Sequence, residues 1–176
     1  MAGKKVAVVS SGDPGIYGMA GLILELVQQY PEDQRPEVVV IPGISAVGAA
    51  AAVLGAPLMH DFAVISLSDL LTPWELIKKR VEMAAAGDFV IALYNPKSHR
   101  RVCQIEEVRE IVSKHREVST PVGIVNSASR HGASMAIATL ENFTQQHIDM
   151  FSLVIIGNSQ TYVRDGRMIT PRGYKL

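Results

Sequence analysis

The chain has 176 residues, 48% of them hydrophobic, which is enough to bury a core as one domain or as two small ones. Lysine plus arginine equal aspartate plus glutamate at 17 each, with no long basic run, so neither nucleic acid nor an anionic membrane is expected as a partner. One cysteine, Cys103, allows no internal disulfide and no multi-cysteine metal site, and no metal is expected.

Lys4 and Lys5 lead straight into Val6-Ala7-Val8-Val9 without a signal-peptide pattern, so a cytoplasmic location is expected. Lys5 to Ser10 reads as a buried strand that breaks into Ser11-Gly12-Asp13-Pro14-Gly15-Ile16-Tyr17-Gly18. Gly12 and Gly15 let a ligand approach the main chain, Asp13 suits a helix cap and Pro14 a first turn. A ligand-binding corner at a strand end and a plain capped turn stand here as equal alternatives. The glycine spacing fits neither a dinucleotide fingerprint nor a phosphate loop.

Ile16 to Tyr30 has helical spacing and is ended by Pro31; Glu37 to Ile41 reads as a second strand that breaks at Pro42-Gly43. Ser45 to Leu54 reads as a buried helix, too short to span a bilayer. Periodicity lapses at Gly55-Ala56-Pro57, which divides the chain into a first domain, 1–57, and a second, 58–176. Phe62 to Leu67 reads as a strand. Thr72 is read as the cap of a helix running to about Ala86, with Pro73 first and Glu75 completing a capping box. Asp88 to Tyr94 and Pro121 to Asn126 read as strands, with an amphipathic helix from Arg101 to His115 between them. Ala133 to Leu140 fits a short helix or extended chain, Phe151 to Gly157 is a strand, and Asp165-Gly166 centres a hairpin over Thr161 to Met168. Such alternation predicts an α/β fold with mainly parallel sheets, one on each side of Pro57.

Four strand ends then carry small or polar loops: Ser11 to Gly15, Pro42 to Ala46, Tyr94 to Ser98, and Asn126 to Arg130. Their convergence on one cleft would form a large pocket. His60 reads as a structural or substrate-binding histidine and Asp69 as a turn former. Trp74 is either a core plug or a flat face for a ligand. Arg80, Lys97, Arg100 and Arg130 are either solvated or partners for carboxylates.

Together the loops resemble the tetrapyrrole methylase family. The likeness is carried by Gly12-Asp13-Pro14-Gly15, Pro42-Gly43-Ile44-Ser45-Ala46, Met59 to Trp74 with its Leu67-Ser68-Asp69-Leu70-Leu71-Thr72-Pro73-Trp74 signature, Tyr94-Asn95-Pro96-Lys97-Ser98, Asn126-Ser127-Ala128-Ser129-Arg130, Ile156-Gly157-Asn158-Ser159, and Thr170-Pro171-Arg172-Gly173-Tyr174. It is strongest to the branch that methylates C17 of precorrin-3B or cobalt-factor III. The family's opening strand and Gly-x-Gly-Pro-Gly loop have no counterpart here, so the resemblance implies an incomplete N-terminal domain with an exposed sheet edge.

The resemblance implies a two-domain fold, S-adenosylmethionine as cofactor, a tetrapyrrole substrate, a homodimer, and methyl transfer coupled to ring contraction in cobalamin biosynthesis. It places Gly12, Asp13, Ile16, Ser45, Ala46, Tyr94, Asn95, Asn126, Ser127 and Ala128 at the cofactor, and the proton transfers of ring contraction make His60, Asp69 and Arg130, polar residues beside predicted strand ends, the catalytic candidates. A methylase of another tetrapyrrole carbon or of the diphthamide precursor, and a fragment that binds cofactor or tetrapyrrole without catalysis, are the alternatives.

Overall fold

The computed structural model describes residues 3–129 and 131–174. By its internal contacts the chain divides into two compact units, Met1–Gly48 and Ala49–Leu176.

In the first unit, helix α1 covers Ala20–Gln28 and a 3-10 turn follows at Glu32–Gln34. The helix starts later than the expected Ile16 because Tyr17 is left-handed at φ 52°. Gly18 packs so tightly that a Cβ there would lie 2.5 Å from the Pro14 carbonyl oxygen. Arg35 closes the far end, its guanidinium donating to the carbonyls of Tyr30 (2.9 Å) and Gln28 (3.3 Å). The strands expected at Lys5–Ser10 and Glu37–Ile41 do not form, since neither run enters a ladder among the described residues. A strand is held by its ladder and by cross-strand side-chain pairs. Lacking both, Val6, Val9, Val39 and Ile41 are 73–88% exposed. Helix α2, Ala46–Leu54, forms as expected and carries the division between the units.

Both sheets lie in the second unit. Short β1 (Gly55–Ala56), β7 (Tyr162–Arg164) and β8 (Arg167–Ile169) pair in the order β1-β8-β7. The β7–β8 hairpin turns at Asp165 and Gly166, φ 50° and 71°, as a turn with two left-handed residues requires. The larger sheet contains β2 (Phe62–Ser66), β3 (Val90–Tyr94), β4 (Pro121–Asn126), β5 (Ser134–Thr139) and β6 (Ser152–Ile156), in the order β2-β3-β6-β4-β5. It is mixed and not mainly parallel: β2 and β3 are parallel, whereas β3–β6, β4–β6 and β4–β5 are antiparallel. The reason is connection length. The loop 127–133 is too short for the crossover that parallel strands need, so β5 folds back on β4 and resolves the ambiguous Ala133–Leu140 stretch as a strand.

Helices α3 (Trp74–Ala86) and α4 (Gln104–Val112) bury Ile77, Val81, Ile105, Val108 and Val112 at helical spacing. These residues join Ile91, Leu93, Val122, Ile124, Val154, Ile156 and Phe143 in one core. Alternate strand residues point to the other face, where a Cβ at Gly123 would meet Leu54 at 2.4 Å. Pro73, not Thr72, occupies the N-cap of α3 (φ −55°, ψ 136°), and no side chain caps it. Proline's fixed φ suits that corner. Strand β3 starts at Val90 because Asp88 is left-handed at φ 58°. Helix α4 starts at Gln104 and not at Arg101, because Ser98 and Arg101 exchange backbone hydrogen bonds (3.0 and 3.2 Å) that close a turn.

Candidate functional site

In the first unit the Gly-Asp-Pro loop is organised by one carboxylate. Asp13 Oδ1 accepts from the Gly15 N–H at 2.8 Å and Oδ2 from the Gly43 N–H at 3.0 Å, so Asp13 joins the two loops the sequence singled out. The amide of Gly43, then that of Gly15, favours the charged form and outweighs burial, holding Asp13 below its ordinary 3.8. The loops touch so closely that glycine is required: Gly12 has φ 81°, and a Cβ on Gly43 would lie 2.2 Å from the Gly12 carbonyl oxygen. Ser45 Oγ accepts from the Gly48 N–H at 3.3 Å and caps α2 at Ala46. Ile16 sits in the turn, its N–H donating to the Asp13 carbonyl at 3.3 Å.

In the second unit β2, β3 and β4 run the same way and finish at one end of the mixed sheet. That end gathers Ser66, Tyr94, Asn95, Asn126, Ser127 and Ala128. Asn95 Nδ2 donates to Ser66 Oγ at 2.9 Å, which ties the loop after β3 to the end of β2. Asn126 faces Ser152 across the β4–β6 ladder; the Ser152 hydroxyl donates to its side-chain oxygen and also lies 2.9 Å from Asp149 Oδ1. Burial pushes the Asp149 carboxyl up, but the Ser152 hydroxyl, the Phe151 N–H and His147 outweigh it, leaving the group below 3.8. Asn95, Ser127 and Ser129 all have positive φ, at 50°, 50° and 60°. Left-handed non-glycine residues at three points along one sheet end are the kind of local strain that collects where a backbone must present itself to a ligand.

The three candidates for proton transfer are not gathered together. Asp69 follows β2 at the polar end, while His60 precedes β2 at the other, and the five residues of that strand span about 16 Å at ~3.3 Å per residue. His60 Nδ1 there accepts from the Asp61 N–H at 2.8 Å. Arg130 lies outside the described residues. Trp74 takes its structural role: it packs against the core, and its Nε1–H donates to Glu107 at 2.9 Å.

Sequence reasoning passed over Arg101, whose side chain is 6% exposed and whose Nη1 lies 3.5 Å from Asp69. It read as a helix residue, and only its place just after Asn95-Pro96-Lys97-Ser98 signalled otherwise. Among the described residues no three His, Cys, Asp or Glu side chains gather as a metal site needs, and no helix is long and apolar enough to cross a membrane.

The family model described as "Tetrapyrrole (Corrin/Porphyrin) Methylases" matches residues 1–144. A "Cobalt-factor III methyltransferase" from Priestia megaterium is 52% identical over 99% of this chain, which spans 33% of that protein. A "Probable cobalt-factor III C(17)-methyltransferase" from Salmonella typhimurium is 53% identical over 99% of this chain and 72% of that one. The chain thus spans between a third and about three quarters of the length of these relatives. The crystal structure of the methyltransferase CobJ superposes with a TM-score of 0.90 at 39% identity, covering 96% of this chain and 71% of that one. A uroporphyrin-III C-methyl transferase from Thermus thermophilus, complexed with S-adenosyl homocysteine, shares the fold at a TM-score of 0.58 and 21% identity, over 83% of this chain and 62% of that one. With the family model covering most of its length and relatives above 50% identity, the chain belongs to the tetrapyrrole (corrin/porphyrin) methylase family.

Proposed function

We propose that this chain carries out S-adenosylmethionine-dependent methyl transfer to C17 of a corrin precursor, precorrin-3B or cobalt-factor III, with ring contraction, as a cytoplasmic homodimer in cobalamin biosynthesis. The observation that carries the reading is the identity above 50%, over 99% of the chain, to proteins named a cobalt-factor III methyltransferase and a probable cobalt-factor III C(17)-methyltransferase.

The cofactor's chemistry fits the residues present. Bound, it would supply a methyl group on an already activated sulfonium, so the protein's task is placement more than activation. Gly43 leaves no room for a side chain where it meets the Gly12 carbonyl, and Gly12 holds a left-handed φ that side chains disfavour, so the two loops meet main chain to main chain. Asp13 holds that main chain in shape. On this reading Gly12, Asp13, Ile16, Ser45 and Ala46 contact the cofactor. So do Tyr94, Asn95, Asn126, Ser127 and Ala128, whose amides and hydroxyls suit ribose and amino-acid groups. His60, Asp69 and Arg130 are proposed for the proton transfers of ring contraction on their polar character beside the strand ends read from the sequence, and of these Asp69 follows β2 at the polar sheet end. Exposed Arg80 and Arg100 and half-buried Lys97 suit the carboxylates of a tetrapyrrole.

Calorimetric titration of the chain with S-adenosylhomocysteine tests the reading. Saturable binding, weakened at least tenfold by Asp13→Ala, is expected; a folded chain that does not bind contradicts it. A chain that binds yet never turns over a corrin precursor is the binding-only alternative.

A further inference from the structure

Arg101 stands between the two loops that leave β2 and β3, on the turn that closes the second. Its Nη1 lies 3.5 Å from Asp69 Oδ1, in the loop after β2. Its Nη2 donates to the Asn95 carbonyl at 3.5 Å, in the loop after β3. Asn95 has φ 50°, and its side chain reaches back to Ser66 Oγ, which also accepts from the Ser68 N–H at 3.2 Å. A left-handed asparagine persists where its surroundings over-determine it, and here the guanidinium on its carbonyl and the serine on its amide do so. Arg101 is held less well than it holds: both contacts are long, and its buried Nε–H has no partner among the described residues. A buried guanidinium with slack contacts calls for an explanation, and a plain structural staple would hold more and shorter contacts.

We propose that Arg101 is a positioning residue that fixes Asn95 and the loop after β3 against Asp69, so that cofactor affinity depends on a guanidinium that never touches the cofactor. This rests on the cofactor reading of the polar sheet end. On this proposal ligand binding shortens both contacts, as site hydrogen bonds tighten on occupation.

The test uses the 176-residue chain and its Arg101→Met, Arg101→Ala and Asp69→Asn variants, titrated with S-adenosylhomocysteine, with amide hydrogen exchange followed on the same samples without ligand. Arg101→Met is expected to weaken binding at least tenfold. It should also speed exchange at least tenfold in 94–98 and 67–72 and leave the interior of β3 and β4 unchanged. Asp69→Asn should show a smaller effect of the same pattern. Millimolar N-ethylguanidinium should restore part of the affinity of Arg101→Ala and do nothing for the parent chain, which a general loss of stability would not allow. If the parent chain binds and Arg101→Met binds as tightly, the inference fails and the cofactor reading survives. If the parent chain does not bind, the cofactor reading fails. Exchange in 94–98 that Arg101→Met leaves unchanged then sinks the clamp as well.

Discussion

The mixed sheet carries a buried arginine beside each of its ends, and the two are held in opposite ways. Arg116, beyond α4, donates to the carbonyls of Ala85 (2.6 Å), His115 (3.1 Å) and Phe89 (3.4 Å) and pairs with Asp88 at 3.1 Å. Those partners close the end of α3 and the turn into β3, where Asp88 also takes the Ser159 N–H and hydroxyl at 3.0 and 2.6 Å. Among the described residues the Arg101 guanidinium has only its two 3.5 Å contacts. Each leaves a buried Nε–H without a partner among the described residues. The lesson is that burial and charge alone do not distinguish a staple from a positioning group; the quality of the remaining contacts does.

The largest expected effect breaks the staple. Arg116→Met leaves carbonyls at the end of α3 and the Asp88 carboxylate without their donor, and should cost about 3 kcal/mol. That is a fall of roughly 6–12 °C in Tm by calorimetry, with cofactor-product affinity unchanged while the chain is folded. Next comes the middle of the sheet. Gly123→Val should cost about 2 kcal/mol by overpacking, since even a Cβ would lie 2.4 Å from Leu54. Adding Leu54→Ala should return part of the loss, because the two sites share one space. Arg101→Met comes third for stability. Asp69 is 33% exposed and can be rehydrated, so about 1 kcal/mol is expected in denaturant unfolding, against a binding loss of tenfold or more.

The smallest effect is one of pH. Asp88 is pushed up by burial, but Ser159, Arg116 and His60 outweigh that and hold it below 3.8. Its folded value is therefore below its unfolded one. The stabilisation is present above about pH 4 and is lost as pH falls through the lower folded value. Asp88→Asn should flatten that part of the stability profile. Asp13, lowered by the amides of Gly43 and Gly15, should show the same direction locally, as loosening of its loop in acid.

The polar sheet end was legible because its residues announce themselves: Asn95-Pro96-Lys97-Ser98 and Asn126-Ser127-Ala128-Ser129 interrupt apolar runs, and each interruption is where a strand stops. Gly12, Asp13 and Gly43 were legible for a similar reason, although only the structure joins the two loops through one carboxylate. Strand direction was not legible. Periodicity marks Phe151–Gly157 as a strand but cannot say that it enters the sheet antiparallel between β3 and β4. Lys5–Ser10 and Glu37–Ile41 have strand composition, yet composition cannot supply the partner a ladder needs. Arg101 was hidden by its helical neighbours: a buried charge is defined by what surrounds it, and Asp69 is distant in sequence.

The central claim is the reaction, and isotope transfer tests it most directly. The chain would be incubated with S-adenosylmethionine carrying a 13C-labelled methyl group and with cobalt-factor III, and the product examined by NMR. The account predicts one labelled methyl on C17 of a contracted ring. Label on another ring carbon, or none from a chain that binds S-adenosylhomocysteine and the macrocycle, would contradict it.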